Sequence, residues 1–173
     1  MDEFLTPKFF DRDTLTVARE LLGKYLVRQL SNKKVSLMIT EVEAYDGPED
    51  LASHAANGRR TKRTQILFGK PGTLYIYFTY GIHWMLNVVC GPKDYPAGIL
   101  IRGTDQVKGP AKVTRELLVN ESLNGKEASK KTGLWFEDRG VKFKKNQIRA
   151  TKRIGVDYAG EWSEALYRFE LTR

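Results

Sequence analysis

The sequence predicts an α+β fold formed by a single domain across residues 1–173. Two short segments carry apolar residues at helical spacing, while most of the remaining chain consists of β-branched and aromatic runs separated by polar turns. A chain of 173 residues with 41% hydrophobic content can bury one sizeable core, and it is too short for two comfortable ones. We therefore expect antiparallel strands and peripheral helices around one core.

Local signals predict the first helix and the first pair of strands. Asp13 and Thr14 precede an apolar stripe that stops at Gly23, so an N-cap and a C-terminal glycine bracket a short helix. Apolar and β-branched residues at positions 25–30 and 35–42 flank a polar turn. This pattern predicts two antiparallel strands.

A long polar segment, residues 46–70, follows the second strand. It is punctuated by glycine, and one helical turn is predicted near residues 51–55. Connections of this length are usually functional. The segment also carries the densest basic cluster of the chain, which consists of Arg59, Arg60, Lys62 and Arg63.

The middle of the chain predicts a β-hairpin. Residues 73–78 and 82–90 are aromatic and β-branched runs joined around Thr79-Tyr80-Gly81, so Tyr80 is expected at the tip. Alternation puts Tyr75 and Tyr77 on one face of the hairpin. Such aromatics commonly form core or cross-strand pairs, but beside a cationic loop they also suit stacking on nucleic-acid bases.

Shorter elements are predicted for the remainder of the chain. Residues 98–101 form an apolar strand that ends at Arg102, and Gly109-Pro110 opens a helix that runs to about Leu118. Residues 120–132 are polar and expected to be exposed. Residues 134–171 alternate enough to form further strands.

Charge and composition restrict the class of protein. The chain carries 29 basic and 21 acidic residues, a net charge of +8 and a pI near 9.5, which suits a polyanionic partner but is shared by ribosome-associated and membrane-surface proteins. One cysteine excludes an intramolecular disulfide. Met1 is followed by acidic residues, and no run of about 18 apolar residues occurs, so we expect neither export nor membrane spanning. We expect a cytoplasmic protein, nucleoid-associated in a bacterium, without membrane contact.

Metal-binding residue types are scarce. His54, His83 and Cys90 are the only imidazole and thiol groups, so a zinc site of the His-Cys-Cys or Cys-rich type cannot be assembled. A metal site would have to use carboxylates alone. We expect no metal and no other cofactor.

Two carboxylates and one arginine are the candidate reactive groups. Glu41 and Glu43 have the same strand parity, so both face either solvent or a cleft. Spacing alone favours two solvated side chains, whereas the position of Glu43 before a long loop favours a cleft. Arg102, if buried, needs a carboxylate such as Glu43 or a ligand, and the alternative is an outward-turned side chain at a strand end.

Spaced motifs along nearly the whole chain resemble the alkyladenine (3-methyladenine) DNA glycosylase family of mammals and many bacteria. The motifs follow the family's order: EVEAYDGPED at 41–50, SH at 53–54, KPGTLYIY at 70–77, YG at 80–81, Asn87, ILIR at 99–102, GPAK at 109–112, RIGV at 153–156 and AGEW at 159–162. The chain departs from the family at residues 61–63, Thr-Lys-Arg for the common Thr-Pro-Arg, and at 67–68, Leu-Phe for a frequent Met-Phe.

The resemblance implies a curved antiparallel or mixed sheet and a hairpin that enters the DNA minor groove. By position, Glu43 matches the general base that activates water, and Arg102 matches the arginine that helps to position that water. The other matched residues have roles toward the flipped nucleotide: Tyr45, His54 and Tyr77 form walls of the base pocket, Asn87 helps to reject normal guanine, and Tyr80 wedges into the space that the nucleotide leaves.

The resemblance also implies the reaction, which is hydrolysis of the N-glycosidic bond of a damaged purine in double-stranded DNA. A carboxylate can accept the water's proton and favours an oxocarbenium-like sugar, and electron-rich aromatic faces favour a cationic base by about 0.5–2 kcal/mol each. None of the residues matched to a catalytic or base-pocket role is lysine, so no lyase step is expected. We expect a monomer whose basic cluster meets phosphates.

Two other functions remain open at this point. In the first, the protein is a nonenzymatic nucleic-acid-binding domain in which Glu43 is merely solvated. In the second, it is a different hydrolase that uses Glu41 and Glu43 together on a sugar or nucleoside and needs no duplex DNA.

Overall fold

The computed structural model describes residues 3–172. Its strands are β1 (Glu3–Phe4), β2 (Tyr25–Gln29), β3 (Lys34–Asp46), β4 (Leu74–Thr79), β5 (His83–Val89), β6 (Ala97–Thr104), β7 (Leu134–Asp138), β8 (Ile148–Thr151) and β9 (Arg168–Leu171). Its α-helices are α1 (Pro7–Phe10), α2 (Thr14–Leu21) and α3 (Pro110–Glu116). Short 3₁₀ helices occupy Ala56–Gly58, Thr64–Phe68, Glu121–Leu123, Lys145–Gln147 and Asp157–Glu164.

One nine-stranded sheet organises these elements. Its main path runs β1-β7-β2-β3-β6-β5-β4, and β9 pairs with both β3 and β8. Every pairing of these strands is antiparallel. The predicted α+β fold with an antiparallel sheet is therefore confirmed.

The first helix forms where the sequence predicts it. The Asp13 carboxylate accepts a hydrogen bond from the Thr16 backbone N–H at 2.8 Å, which satisfies one donor that the first turn leaves free. The helix ends at Leu21, and Gly23 follows with φ of +86°, a conformation that suits glycine. The buried face of the helix packs into the main core with Phe10 and Phe136.

The long strand β3 carries an irregularity at Glu41. Its first five residues pair with β2, and its second half pairs with β6. The register with β6 shifts on both sides of Glu41, between Ile39 and Glu41 and between Glu41 and Val42. Bulges of this kind re-aim side chains and are common beside active sites.

The predicted hairpin is confirmed as β4 and β5. The ladder runs from Leu74 opposite Val88 to Thr79 opposite His83, and Ile82 N–H donates to the Thr79 carbonyl at 3.2 Å. Tyr80 lies at the tip and is 85% exposed. The tip therefore extends away from the core.

Two expectations about the second half of the chain are wrong. Arg102 does not end its strand, because β6 continues through Gly103 to Thr104. Residues 120–132 are not uniformly exposed: Leu123 and Ala128 are buried, since this segment packs beside β4 and the Leu74 N–H donates to the Lys126 carbonyl at 2.8 Å. The further strands expected between residues 134 and 171 form as three short strands, and two 3₁₀ helices, Lys145–Gln147 and Asp157–Glu164, lie between them.

The loop after β3 also differs in detail from the prediction. β3 extends to Asp46, and the helical turn lies at Ala56–Gly58 instead of residues 51–55. A further 3₁₀ helix, Thr64–Phe68, anchors the end of the loop through buried Leu67 and Phe68. Within residues 3–172, no helix has the length and apolar character needed to cross a bilayer.

Candidate active site

A cleft of about 350 Å³ opens between β3, the β4–β5 hairpin, the loop after β3 and the segment after β8. Both polar and apolar side chains line it. Seven residues singled out from the sequence border this one cleft: Glu43, Tyr45, His54, Tyr77, Tyr80, Asn87 and Arg102.

Glu43 lies in the wall of the cleft with no exposed surface. Its Oε2 accepts a hydrogen bond from the Tyr45 hydroxyl at 2.8 Å, and its Oε1 accepts one from the backbone N–H of Ile154 at 2.8 Å. Burial of a carboxylate is tolerated only when such donors replace water. The expectation of a solvated Glu43 is thus wrong, and the side chain is held in one orientation.

Arg102 lies between the two carboxylates of β3. Its Nε donates to Glu41 Oε1 at 3.1 Å, and its Nη1 lies 3.5 Å from Glu43 Oε1. Both glutamates therefore face the same guanidinium, as their shared parity predicts. The side chain of Arg102 is only 13% exposed, so the outward-turned alternative is wrong.

A buried ion pair supports the wall that carries Tyr45. Arg153 donates to both oxygens of Asp50, at 2.5 and 2.9 Å, and to the Ala44 carbonyl at 2.9 Å. Its guanidinium also lies 4.8 Å from the centre of the Tyr45 ring. Burial and the adjacent Glu43 carboxylate raise the pKa of Tyr45, so its hydroxyl stays protonated as a donor.

Aromatic rings form the opposite wall. The His54 ring meets Tyr77 edge to face, with 4.7 Å between ring centres, and His54 Nδ1 lies 3.0 Å from the Tyr75 hydroxyl. Although His54 remains exposed toward the cleft, loss of water around the ring and the nearby charge of Arg63 lower its pKa to about 4. Burial likewise raises the pKa of Tyr77. At neutral pH this wall is therefore uncharged.

Asn87 lies at the inner end of the hairpin. It is 4% exposed, pairs with Tyr75 across β4 and β5, and pairs with Leu100 across β5 and β6. Its side-chain amide donates to the Tyr75 carbonyl at 3.1 Å. The amide is thus held by the sheet, and Asn87 lines the cleft from this position.

The basic cluster lies outside the cleft lining, on the loop that ends beside it. Arg60 pairs with Asp94 at 2.9 Å, and the Arg63 guanidinium lies 4.7 Å from the centre of the Tyr77 ring. Arg59 and Lys62 are exposed, and their side chains have no partner within residues 3–172. Within the basic cluster, Arg59 and Lys62 are therefore the cations most available to an external anion.

Comparison with known proteins identifies the family. The family model described as methylpurine-DNA glycosylase matches residues 8–108 and 103–173. The chain belongs to the methylpurine-DNA glycosylase family. This assignment confirms the resemblance seen in the sequence, and it confirms the enzyme class, a hydrolase of the DNA glycosylase type.

Curated relatives are similar over nearly the full glycosylase chain. Each of the following is named "Putative 3-methyladenine DNA glycosylase". The protein of Clostridium perfringens strain 13 is 37% identical, over 93% of this chain and 92% of the relative. Those of Methanocella arvoryzae and Anaeromyxobacter sp. strain Fw109-5 are 41% and 39% identical, over 93% and 96% of this chain and 88% of each relative.

Sequence reasoning treated Tyr75 only as a packing or stacking residue of the hairpin, and it assigned no role to three further contributors to the cleft. Tyr75 bonds to His54, Tyr158 lines the entrance, Ile154 supplies a backbone donor to Glu43, and Arg153 holds Asp50. The RIGV motif did contain Arg153 and Ile154, but their roles depend on tertiary contacts more than 100 residues along the chain. Only the family motif itself could have drawn attention to them.

Possible metal ligands are scattered in the glycosylase. Within residues 3–172, no three side chains of His, Cys, Asp or Glu come together as a metal site. Glu41, which shares Arg102 with Glu43, is paired with Arg102 and Arg168. The absence of a metal requirement stays a prediction.

Proposed function

We propose that this protein, acting as one domain over residues 1–173 and as a monomer, flips alkylated or otherwise damaged purines out of duplex DNA. It then hydrolyses the N-glycosidic bond with a water activated by Glu43 and leaves an abasic site. One observation carries the proposal: Glu43 and Arg102 border an aromatic-walled cleft that opens beside an exposed hairpin tip. We expect this reaction in the cytoplasm, at the nucleoid in a bacterium.

The hydrogen bonds of Glu43 suit a general base. Its two oxygens each accept one fixed hydrogen bond, from Ile154 N–H and from the Tyr45 hydroxyl. A carboxylate has about four acceptor positions, so a lone pair stays available for the proton of the attacking water. Its negative charge also favours the positive sugar that develops in the transition state.

Arg102 is suited to hold that water. Its Nη1 lies 3.5 Å from Glu43 Oε1, which is too long for a direct hydrogen bond, so this donor is not consumed by the carboxylate. A water near both groups would accept from Arg102 and donate to Glu43. Orientation of this kind lowers the barrier by fixing the reacting geometry in advance.

The pocket walls suit a cationic purine. Tyr45 and Tyr77 offer aromatic faces, which attract a cation by about 0.5–2 kcal/mol each. His54 is uncharged at neutral pH, because its pKa is lowered to about 4, so it adds no repulsive charge to the pocket. The first discrimination between damaged and normal purines can therefore depend on charge.

The exterior of the cleft suits duplex DNA. Tyr80 projects from the hairpin tip and could replace the stacking that is lost when a nucleotide leaves the helix. Arg59 and Lys62 extend from the adjacent loop and are available to phosphates. These residues would give the proposed enzyme a wedge beside the base pocket and a contact to the DNA backbone.

The test incubates duplexes that each carry one lesion with the protein, then cleaves abasic sites with alkali and compares the products on a gel. Glu43→Gln is the decisive variant. Its amide oxygen can accept from Ile154 N–H, and its NH₂ group can donate to the Tyr45 hydroxyl, which also has acceptor capacity. We expect intact folding, retained binding of the lesion duplex and loss of base release. Wild-type excision by this variant would refute the mechanism.

The two rival functions make different predictions in the same experiment. A nonenzymatic binding domain produces no abasic sites with any lesion, and the wild type and the Glu43→Gln variant then behave alike. A two-carboxylate hydrolase acts without duplex DNA, so free nucleosides are included as substrates. The pairing of Glu41 with two arginines and its absence from the cleft lining weigh against this second rival.

A further inference from the structure

Four side chains of alternating charge form a row that ends at Glu43. Arg168 Nε lies 2.7 Å from Glu41 Oε1, and Arg102 Nε lies 3.1 Å from the same oxygen. Arg102 Nη1 then lies 3.5 Å from Glu43 Oε1. We infer that Glu41 is a positioning residue, which holds Arg102 away from a closed ion pair with Glu43 so that the carboxylate can act as a base. This inference rests on the proposed function.

The fold gives Glu41 its place through the irregularity of β3. The register shifts on both sides of Glu41 and sets it opposite Gly103. A Cβ atom at position 103 would lie 3.2 Å from both Glu41 Cβ and Glu41 Oε2, a tighter approach than side chains normally make. The absence of a side chain at Gly103 thus leaves room for the carboxylate beneath Arg102.

Glu41 cannot touch the substrate from this place. Its side chain is 15% exposed, and it is not among the residues that line the cleft. Arg168 fixes it from β9, and Arg168 is itself held by Thr151 Oγ1 at 3.1 Å and by Glu170 at 3.4 Å. We therefore expect Glu41 to act on the reaction through Arg102, which contacts both carboxylates.

The geometry of Arg102 explains why such a restraint matters. A guanidinium beside a single carboxylate tends to form two parallel hydrogen bonds with it. If Arg102 turned fully onto Glu43, its donors would occupy the lone pairs that the water's proton needs. The bond from Nε to Glu41 opposes this rotation and leaves Nη1 at a distance at which a water can bridge.

The experiment compares Glu41→Gln with a matched control, Glu170→Gln. Glu170 pairs directly with Glu41 across β3 and β9, has a similar exposure of 18%, and contacts Arg168 but not Arg102. We expect Glu41→Gln to slow single-turnover excision by about tenfold or more, because small errors in the position of reacting groups cost rates of this order. Its affinity for lesion duplex should stay within about twofold of the parent protein, since Glu41 does not line the pocket.

Glu170→Gln should keep both the rate and the affinity, while thermal unfolding shows whether the two variants are folded alike. A second arm repeats Glu41→Gln in an Arg102→Gln background. If Glu41 acts through Arg102, it has little further effect on the rate there, as coupled residues are not additive. An equal loss of rate in both single variants, or an undiminished effect of Glu41→Gln without Arg102, would overturn the inference. Where the Arg102→Gln rate is too low to measure, the comparison with Glu170→Gln decides.

The outcome is separable from that of the proposed function. If Glu43→Gln excises normally, the proposed mechanism fails and Glu41 has no base to assist. If Glu43→Gln is inactive while Glu41→Gln keeps its full rate, the mechanism stands and only the role of Glu41 is refuted.

Discussion

Substitutions of Tyr80 can distinguish the energetic cost of its left-handed backbone conformation from the proposed role of its side chain in DNA. Tyr80 has φ of +52° and is 85% exposed, so it contributes little to the core. An L-residue in this left-handed conformation costs roughly 1–2 kcal/mol, a cost that glycine avoids. Glycine also gives the unfolded chain more conformational freedom, which stabilises the unfolded state by about 0.4–1 kcal/mol. The net increase in the free energy of unfolding from Tyr80→Gly should therefore be about 0.5–1 kcal/mol. Tyr80→Ala keeps the Cβ and should change stability by less than about 0.5 kcal/mol.

The two substitutions should differ in stability and agree in activity. The gain in Tyr80→Gly corresponds to about 1–4 °C in the thermal midpoint for a chain of this size. Single-turnover excision of one lesion should fall in both variants, most of all when the lesion is stably paired. Opposite a mismatch the defect should shrink, because extrusion, which normally costs a few kcal/mol, is already easier there. Tyr80→Phe keeps the ring and serves as the control that should retain excision.

Two results would refute this reasoning. An equal excision defect in paired and mispaired duplexes, or no defect in either, rejects the wedge role of Tyr80. A Tyr80→Gly protein that is no more stable than Tyr80→Ala rejects the strain assigned to the tip. If Tyr80→Gly raises the stability and lowers the rate of excision, the result would support a hairpin tip whose conformation serves DNA binding.

The other predictions concern salt, metal and pH. Replacing Arg59 and Lys62 by Gln should flatten the slope of log K against log salt by about 2. Gln at Lys33, in the β2–β3 turn, and at Lys34, the first residue of β3, should leave the slope unchanged, and equal slopes in all variants would move the DNA surface elsewhere. Excess EDTA should not reduce excision, and activity that is lost and then restored by added metal would contradict this. Because the pKa of His54 falls from 6.5 to about 4 on folding, the unfolded chain binds a proton first as the pH drops. Between pH 6.5 and 4 the free energy of unfolding, measured by urea titration, should therefore fall less in His54→Gln than in the parent. The difference should be under about 1 kcal/mol, since the ring is solvent-accessible.

Local signals in the sequence predicted local structure well. The Asp13 cap, the helix end before Gly23 and the hairpin with Tyr80 at its tip each depend on a few neighbouring residues. Errors arose where distant contacts override local preference. Gly103 is a poor strand former, yet pairing with β3 carries β6 past it. Leu123 and Ala128 are buried within an otherwise largely exposed polar segment, because that segment packs beside β4.

The candidate site shows the same division. Parity put Glu41 and Glu43 on one face, and burial of Arg102 required a carboxylate, so their proximity could be expected. The pairing of Glu41 with Arg168, 127 residues away, could not be read from spacing. Nor could the donor from Ile154, because a backbone N–H leaves no trace in side-chain chemistry. The assembled cleft depends on the register of β3 with β6 and β9, which only the folded chain defines.

The late position of Arg153 and Ile154 in the chain has a consequence for synthesis. A growing polypeptide contains Glu43, the basic loop and the hairpin long before it contains the segment that donates to Glu43 from 111 residues further on. Strand β9, which carries Arg168, emerges later still. Until then the carboxylate lacks both its backbone donor and the ion pairs behind it. On the proposed mechanism, a nascent chain can thus be attracted to nucleic acid by its charge, but it acquires the means to remove a base only when β9 has joined the sheet.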